Sequence, residues 1–220
     1  MPPRQPTANK RLAIQGVEDN SSKTPRSPDA SKNILEAALR LFTLHGFTAT
    51  STDQLAQEAS VSKSTVYKLF PTKDDLLVAA VIYGCHERNV TIDIDELRDM
   101  PLRPALELVA RRFIESFMAP KGIRLMQLVI TESRRHPVIG ARFLEAGPLT
   151  VQRSLTKLLE KPAKEGLLHI NDASLAAQNF ISLLGGITQM TLLVNERKAI
   201  TPKERDAQAR LIATSILRGE

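Results

Sequence analysis

Cysteine occurs once in the 220 residues, at Cys85, and tryptophan not at all. A single thiol makes no intrachain disulfide and supplies no cysteine-rich zinc site. No stretch approaches the roughly 18 consecutive apolar residues that span a bilayer, and the N-terminus lacks the apolar core of about 7 to 15 residues of a signal peptide. The expected setting is the cytoplasm, with no membrane partner. Aromatic residues make up only 4% and glycines are few, while Leu, Ala and Ile are plentiful, a balance that favours helices over strands. Catalytic signatures are missing as well: there is no Gly-x-Ser-x-Gly elbow, no phosphate-binding glycine loop and no His-Glu-x-x-His. His45, His86 and His169 lack metal-ligand spacing. Neither enzyme activity nor a cofactor nor a metal is expected. Cys85, in an apolar helical run beside His86, reads as inert packing, with a thiol sensor as the alternative.

What is present divides the chain. With 42% hydrophobic and 25% charged residues, most of the length can bury a core, as one large helical domain or two small ones. Residues 1–28 differ. They hold five of the thirteen prolines and five Lys/Arg against two acids, net +3, with little apolar periodicity. They read as a flexible basic arm, a solvated tail or one held near a nucleic-acid backbone, with a short helix weighed near Arg11 to Val17.

From Asp29 helical spacing begins. Ile34, Leu35, Ala38, Leu41 and Phe42 recur at three- and four-residue steps up to His45, and Gly46 stops the helix. Ser51 or Thr52 caps a short helix carrying Leu55, Ala56 and Ala59, and Ser62 caps a second from Lys63 to Phe70. Pro71 ends that one, and Thr72 opens a fourth at Lys73. Two helices of about eight residues joined by Ser60-Val61-Ser62 have the dimensions of a helix-turn-helix. Each is too short to be stable alone, so the first helix must supply their packing surface. The exposed row on the second is Lys63, Ser64, Thr65, Tyr67 and Lys68. From Ser62 to Lys73 there are three lysines and no acid.

These residues carry a resemblance. Gly46-Phe47, then Thr52-x-x-Leu55-Ala56, then the run Val61 to Leu76 (VSKSTVYKLFPTKDDL) resemble the DNA-binding domain of the TetR family of transcriptional regulators. Three positions depart from the family pattern: Ser60 stands where Gly is frequent, Ser64 where Gly or Ala is, and Leu69 where an aromatic is usual. The first asks Ser60 to adopt a turn conformation that suits glycine. The resemblance implies a sequence-specific, DNA-binding repressor released by an unknown small-molecule inducer, acting as a homodimer on a partly palindromic double-stranded operator. Its DNA-contacting set would be Thr52, Ser62, Lys63, Ser64, Thr65, Tyr67, Lys68 and Lys73, with Lys63, Ser64 and Thr65 near base edges and Thr52, Tyr67, Lys68 and Lys73 on phosphate. The alternative for each is a solvated polar face or a cap. For the whole chain the alternative is a helical protein-interaction adaptor that does not bind DNA specifically.

The expected architecture is all-α with about nine helices: a helix-turn-helix domain over 29–75 and a helical ligand-binding and dimerisation domain over 76–220. Later helices are expected at Ala105 to Phe117, Ile123 to Arg134, Pro137 to about Lys161 (kinked or split at Gly147-Pro148), Ala173 to Val194 and Lys203 to Arg218. Runs around Leu128 to Arg135 and Phe143 to Pro148 also look like the C-terminal domain of an AefR-like TetR subgroup. Family members keep a ligand pocket among the middle helices, and Phe113, Phe117, Met126, Ile130, Phe143 and Phe180 are the candidate lining, with Arg111, Arg112, His136, Gln178, Asn179 and Gln189 as polar candidates. A plain apolar core is the alternative. Family members pair through their last two helices, so the resemblance implies a dimer seam of Leu184, Gly185, Gly186, Ile212 and Ile216. Paired glycines inside a helix cost about 1 kcal/mol each, which either close helix approach or a kink explains.

Overall fold

The computed structural model describes residues 28–87, 96–97 and 99–218. The N-terminal arm before Pro28, with the short helix weighed there, lies outside the described residues. Ten helices and no strand occur among those described. They are α1 (Pro28–His45), α2 (Thr52–Glu58), α3 (Lys63–Leu69), α4 (Lys73–His86), α5 (Leu102–Phe117), α6 (Pro120–Glu132), α7 (Pro137–Ala146), α8 (Pro148–Lys164), α9 (Ala173–Leu193) and α10 (Pro202–Arg218).

Local chemistry accounts for the ends. Ser51 and Thr72 each form a reciprocal capping box, with Gln54 and Asp75, and Ser62 accepts from the Thr65 amide. Each such cap stabilises its helix by about 1 kcal/mol. Ser60 takes φ +55°, the left-handed turn anticipated where glycine is frequent, at a cost of about 1–2 kcal/mol for a residue with a Cβ. The long apolar stretch after Pro137 splits at Gly147 (φ −130°, ψ −100°) into α7 and α8.

Two differences from the sequence reading have packing causes. Helix α6 starts at Pro120, with Gly122 inside its first turn rather than ahead of it. A Cβ at Gly122 would fall on the Ser116 carbonyl oxygen and 2.8 Å from that of Phe117, so this glycine serves the close approach of α5 to α6. Helix α9 is broken at Gly186 (φ +48°, ψ −149°), which decides for a kink at that position.

One buried cluster runs from Ile34 to Ile216. Helix α10 packs along α5 and α9 along α8, while α4 packs against α1 on one side and α7 on the other. The expected boundary between residues 75 and 76 thus falls in the first turn of a helix shared by both halves.

Helix α10 is capped by Thr201 and Glu204, whose carboxylate accepts from the Thr201 amide at 2.9 Å and hydroxyl at 2.7 Å. Those bonds, the amide's first, then the hydroxyl's and that of Arg197, hold its carboxyl down to about 2 from an ordinary 4.5. A carboxyl depressed on folding contributes stability that is complete above about pH 4.5 and is lost as pH falls to about 2. Glu204→Gln is therefore expected to lower Tm at pH 7 and to leave it unchanged near pH 2. Thermal melts of both proteins across that range measure the gap.

Candidate nucleic-acid interface and effector cavity

Helix α3 is anchored by one side chain and displays the rest. Val66 is 2% exposed, and its burial is worth roughly 1.5–3 kcal/mol. Ser64, Tyr67 and Lys68 are exposed and Thr65 is half-buried. The Ser62 hydroxyl lies 2.8 Å from both the Ser64 and Thr65 hydroxyls, so it holds the first turn of α3 as well as capping it. The Tyr67 phenol meets the Thr52 hydroxyl at 3.2 Å, joining α3 to the start of α2 on the outer surface. Lys73, at the start of α4, places its ammonium 4.4 Å from the centre of the Phe47 ring. The amides of that helix start left unbonded by its capping box favour an anion, against the Asp74 and Asp75 carboxylates in the same turn.

Lys63 is already engaged. Its ammonium lies 2.9 Å from Asp53 Oδ1 and 3.0 Å from Oδ2, and the hydrogen bond to Asp53 pushes its pKa above the ordinary lysine value. Sequence spacing gave no sign of this partner, ten residues away on α2. For Lys63 to meet a base edge, Asp53 must release it. Each exposed pair is worth roughly 0.2–1 kcal/mol and a dimer breaks two, so Asp53→Asn is expected to tighten DNA binding about threefold to tenfold at low salt. Titration of bound DNA measures this; equal affinity of the two proteins would show that Lys63 keeps its partner in the complex.

Phe47 links this surface to the rest of the chain. Its ring meets Phe42 edge-on at 5.3 Å and the His136 ring at 5.4 Å. His136 is the residue ahead of α7, and its Nε2 lies 3.2 Å from Asp74 of α4. It stands between the two halves rather than in a pocket, and neither Phe47 nor Asp74 carried any periodic signal of that role.

A cavity of about 460 Å³ lies between α5, α6, α7 and α9. Five of the six expected lining residues meet there: Phe113, Phe117, Met126, Ile130 and Phe143. Phe113 and Phe117 stack at 4.5 Å, and Phe143 meets Phe117 edge-on at 6.2 Å. Phe180 is a correction: it is 0% exposed and packs in the core away from the cavity, because it sits on the opposite side of α9 from the lining residues Ser182 and Gly186. The polar lining consists of Ser133, Ser182 and Gln189, two of them hydroxyls that sequence periodicity did not single out. Arg111 and Arg112 instead pair with Glu107 and Glu96, and Gln178, Asn179 and His136 lie outside the lining. Among the described residues no charged side chain borders the cavity.

The expected seam also changes. Leu184, Ile212 and Ile216 are 0%, 4% and 4% exposed, turned into the packing of α10 on α5 and α9, so they offer nothing to a second chain. Gly185 is buried under the Gln189 side chain and Gly186 is exposed. The outward hydrophobic residues are Leu175, Leu183, Ile187, Met190 and Leu211.

A capped helix-turn-helix whose second helix carries no acid, joined to a helical half around an apolar cavity, is now placed residue by residue. Residues 104–218 match the C-terminal domain of AefR-like transcriptional repressors, and residues 34–80 match the bacterial regulatory proteins of the tetR family. The chain belongs to the TetR family. It is 32% identical over 128 residues to an HTH-type transcriptional regulator of Mycobacterium bovis, Mb1581, a match that spans 58% of this chain and 59% of that relative. Among solved structures it is similar to a TetR-family transcriptional regulator from Mesorhizobium loti, with 25% identity, a TM-score of 0.80, and coverage of 89% of this chain and 98% of that one. The flavonoid-responsive regulator FrrA is similar at 27% identity and a TM-score of 0.70, with 87% and 97% covered. Members of the TetR family are helix-turn-helix transcriptional regulators that bind operator DNA and dimerise, and this chain spans 59% of the length of the curated relative it matches. No helix among the described residues is long and apolar enough to cross a membrane.

Proposed function

We propose that this regulator is a repressor whose two protomers hold a partly palindromic operator and let go when an uncharged, largely aromatic small molecule enters the cavity. In this reading residues 29–75 read DNA and residues 76–220 bind the ligand and dimerise. Lys63, Ser64 and Thr65 face base edges, Thr52, Tyr67, Lys68 and Lys73 meet phosphate, and Ser62 orders the helix that carries the readers. The carrying observation is α3 itself, a helix fastened by a buried Val66 that exposes two lysines, hydroxyls and a phenol with no acid of its own.

The cavity chemistry supports the ligand class. Stacked phenylalanines accept a flat ring, Ser133, Ser182 and Gln189 offer a few hydrogen bonds, and an ion would find no countercharge among the lining side chains. The likeness to a flavonoid-responsive regulator agrees with a planar aromatic compound. Release requires a ligand that favours one arrangement over the other, about 5.5 kcal/mol for a 1:99 to 99:1 switch. Helix α7 supplies a path: Gly140, Phe143 and Leu144 line the cavity, and His136 at its start rests on Phe47 and Asp74 beside Lys73.

Selection of bound DNA from a random pool, followed by a competition assay with uncharged aromatic compounds, tests this. A two-fold-symmetric consensus released by such compounds, and no longer released when Met126→Trp fills the cavity, is the expected result. Retention without sequence preference would favour the adaptor instead.

A further inference from the structure

The turn between α6 and α7 carries two cations without an acid partner. Arg134 and Arg135 are both exposed, and among the described residues neither side chain makes an ion pair or a hydrogen bond. Six other arginines do have one: Arg40, Arg111, Arg112, Arg153, Arg197 and Arg205 each meet a carboxylate. From Ser133 to Leu144 the chain has three arginines, one histidine and no Asp or Glu. Like charges side by side, with no acid in the same segment to offset them, make a local field that favours an anion.

Position decides which anion. His136, the next residue, places Nε2 3.2 Å from Asp74 and its ring 5.4 Å from that of Phe47. The Lys73 ammonium lies 4.4 Å from the centre of the same Phe47 ring, and Lys73 and Asp74 are consecutive on α4. The arginine pair is thus fixed beside the first turn of α4, although it belongs to the other half of the chain. The acids of that turn are already engaged, Asp74 with His136 and Asp75 with the Thr72 amide and hydroxyl. A duplex presents a phosphate on each strand about every 3.4 Å along its axis, so a backbone that meets Lys73 continues past it with further charges. A guanidinium is a planar fork of donors that matches two phosphate oxygens. An acidic protein segment would have to share this surface with the operator.

We infer that Arg134 and Arg135 form a second DNA-binding element, which holds the sugar-phosphate backbone next to the phosphate met by Lys73. The helical half of each protomer then touches the operator directly. This rests on the reading of Lys73 as a phosphate contact. Contacts of this kind position the protein and carry no base preference.

The test uses the full-length protein and the duplex selected from a random pool. It compares the wild type with the double variant Arg134→Gln/Arg135→Gln and with Lys157→Gln, which removes an exposed charge from α8. Since neither guanidinium has a partner within the protomer, the double variant should melt with the wild type. The slope of log K against log salt should fall by about 2 to 4, one or two contacts of about 0.9 in each protomer, with base preference unchanged. A change of 2 makes the deficit grow about 100-fold for each tenfold drop in salt. Lys157→Gln should leave the slope as it was. Neutral methylphosphonates placed singly along the duplex locate the contact: at least one should weaken the wild type and leave the double variant unaffected. Should the double variant melt below the wild type, Arg135→Gln alone gives the same comparison, with an expected fall of about 2. An unchanged slope, a loss matched by Lys157→Gln, or equal sensitivity of both proteins at every methylphosphonate overturns this inference alone and leaves the pair to a different anion. A wild-type protein that selects no duplex would overturn the DNA-binding reading and the inference with it.

Discussion

Tyr67→Ala is expected to lower operator affinity about 100-fold, with the same loss on every variant of the operator. The phenol is exposed, and its hydroxyl bonds the Thr52 hydroxyl on the outer surface rather than anything in the core, so its removal leaves the fold intact. A hydrogen bond to a charged group is worth roughly 1.5–3 kcal/mol, and a dimer loses two, which is at least the roughly 3 kcal/mol that 100-fold requires. Phosphate contacts position the protein without reading sequence, hence the uniform loss. Because tyrosine is neutral, the salt dependence of binding should be unchanged, whereas Lys68→Ala should reduce the slope of log K against log salt by about 2, one contact of about 0.9 per protomer. Titrations at several salt concentrations separate the two. A Tyr67→Ala protein that loses affinity for some base pairs and not others would move Tyr67 from the backbone to the base edges.

Gly122→Ala is expected to destabilise the protein by about 3 kcal/mol, at the upper end of what overpacking usually costs, and to lower Tm by roughly 6–12 °C in a chain of this size. The added methyl would meet the backbone of Ser116 and Phe117, atoms that cannot rotate away as a side-chain tip could. To admit it, α5 must move off α6, and these helices carry Phe113, Phe117, Met126 and Val129 of the cavity. Binding of uncharged aromatic compounds should fall together with stability. A differential scanning calorimetry trace within 2 °C of the wild type would show that the two backbones separate easily.

These two residues differ in how they can be found. Tyr67 sits in a run of capped, evenly spaced positions, so its exposure on a short helix was legible from pattern and resemblance. Gly122 was legible only as a glycine, and a glycine ahead of an apolar stretch reads as a helix breaker. It lies within the first turn of α6 because backbone approach, which no periodicity records, set its place. The pocket behaved similarly. Five aromatic and aliphatic positions could be named because a helical stripe points somewhere apolar, yet the stripe did not say whether it faced a cavity or the core. Phe180 faces the core, and Ser133 and Ser182 reached the cavity from positions with no apolar signal.

The seam shows the limit most clearly. Leu184, Ile212 and Ile216 have the right character and spacing for a helix pair, and they are buried inside the protomer, where α10 packs on α5 and α9. Hydrophobic spacing identifies a buried face without saying which chain buries it.

By itself the sequence determined the helical class, the caps at Ser62 and Thr72, the turn at Ser60 and the acid-free face of α3, since each depends on residues within one or two turns of one another, while the choice of Ser51 over Thr52 as the cap of α2 came from the structure. Only the tertiary structure decided that Asp53 holds Lys63, that Phe47 and His136 join the DNA-facing surface to α7, and that an apolar cavity opens between α5, α6, α7 and α9. Those contacts bring together residues from ten to nearly a hundred positions apart, and they exist because burying each helix's apolar stripe leaves few ways to stack ten helices around one core.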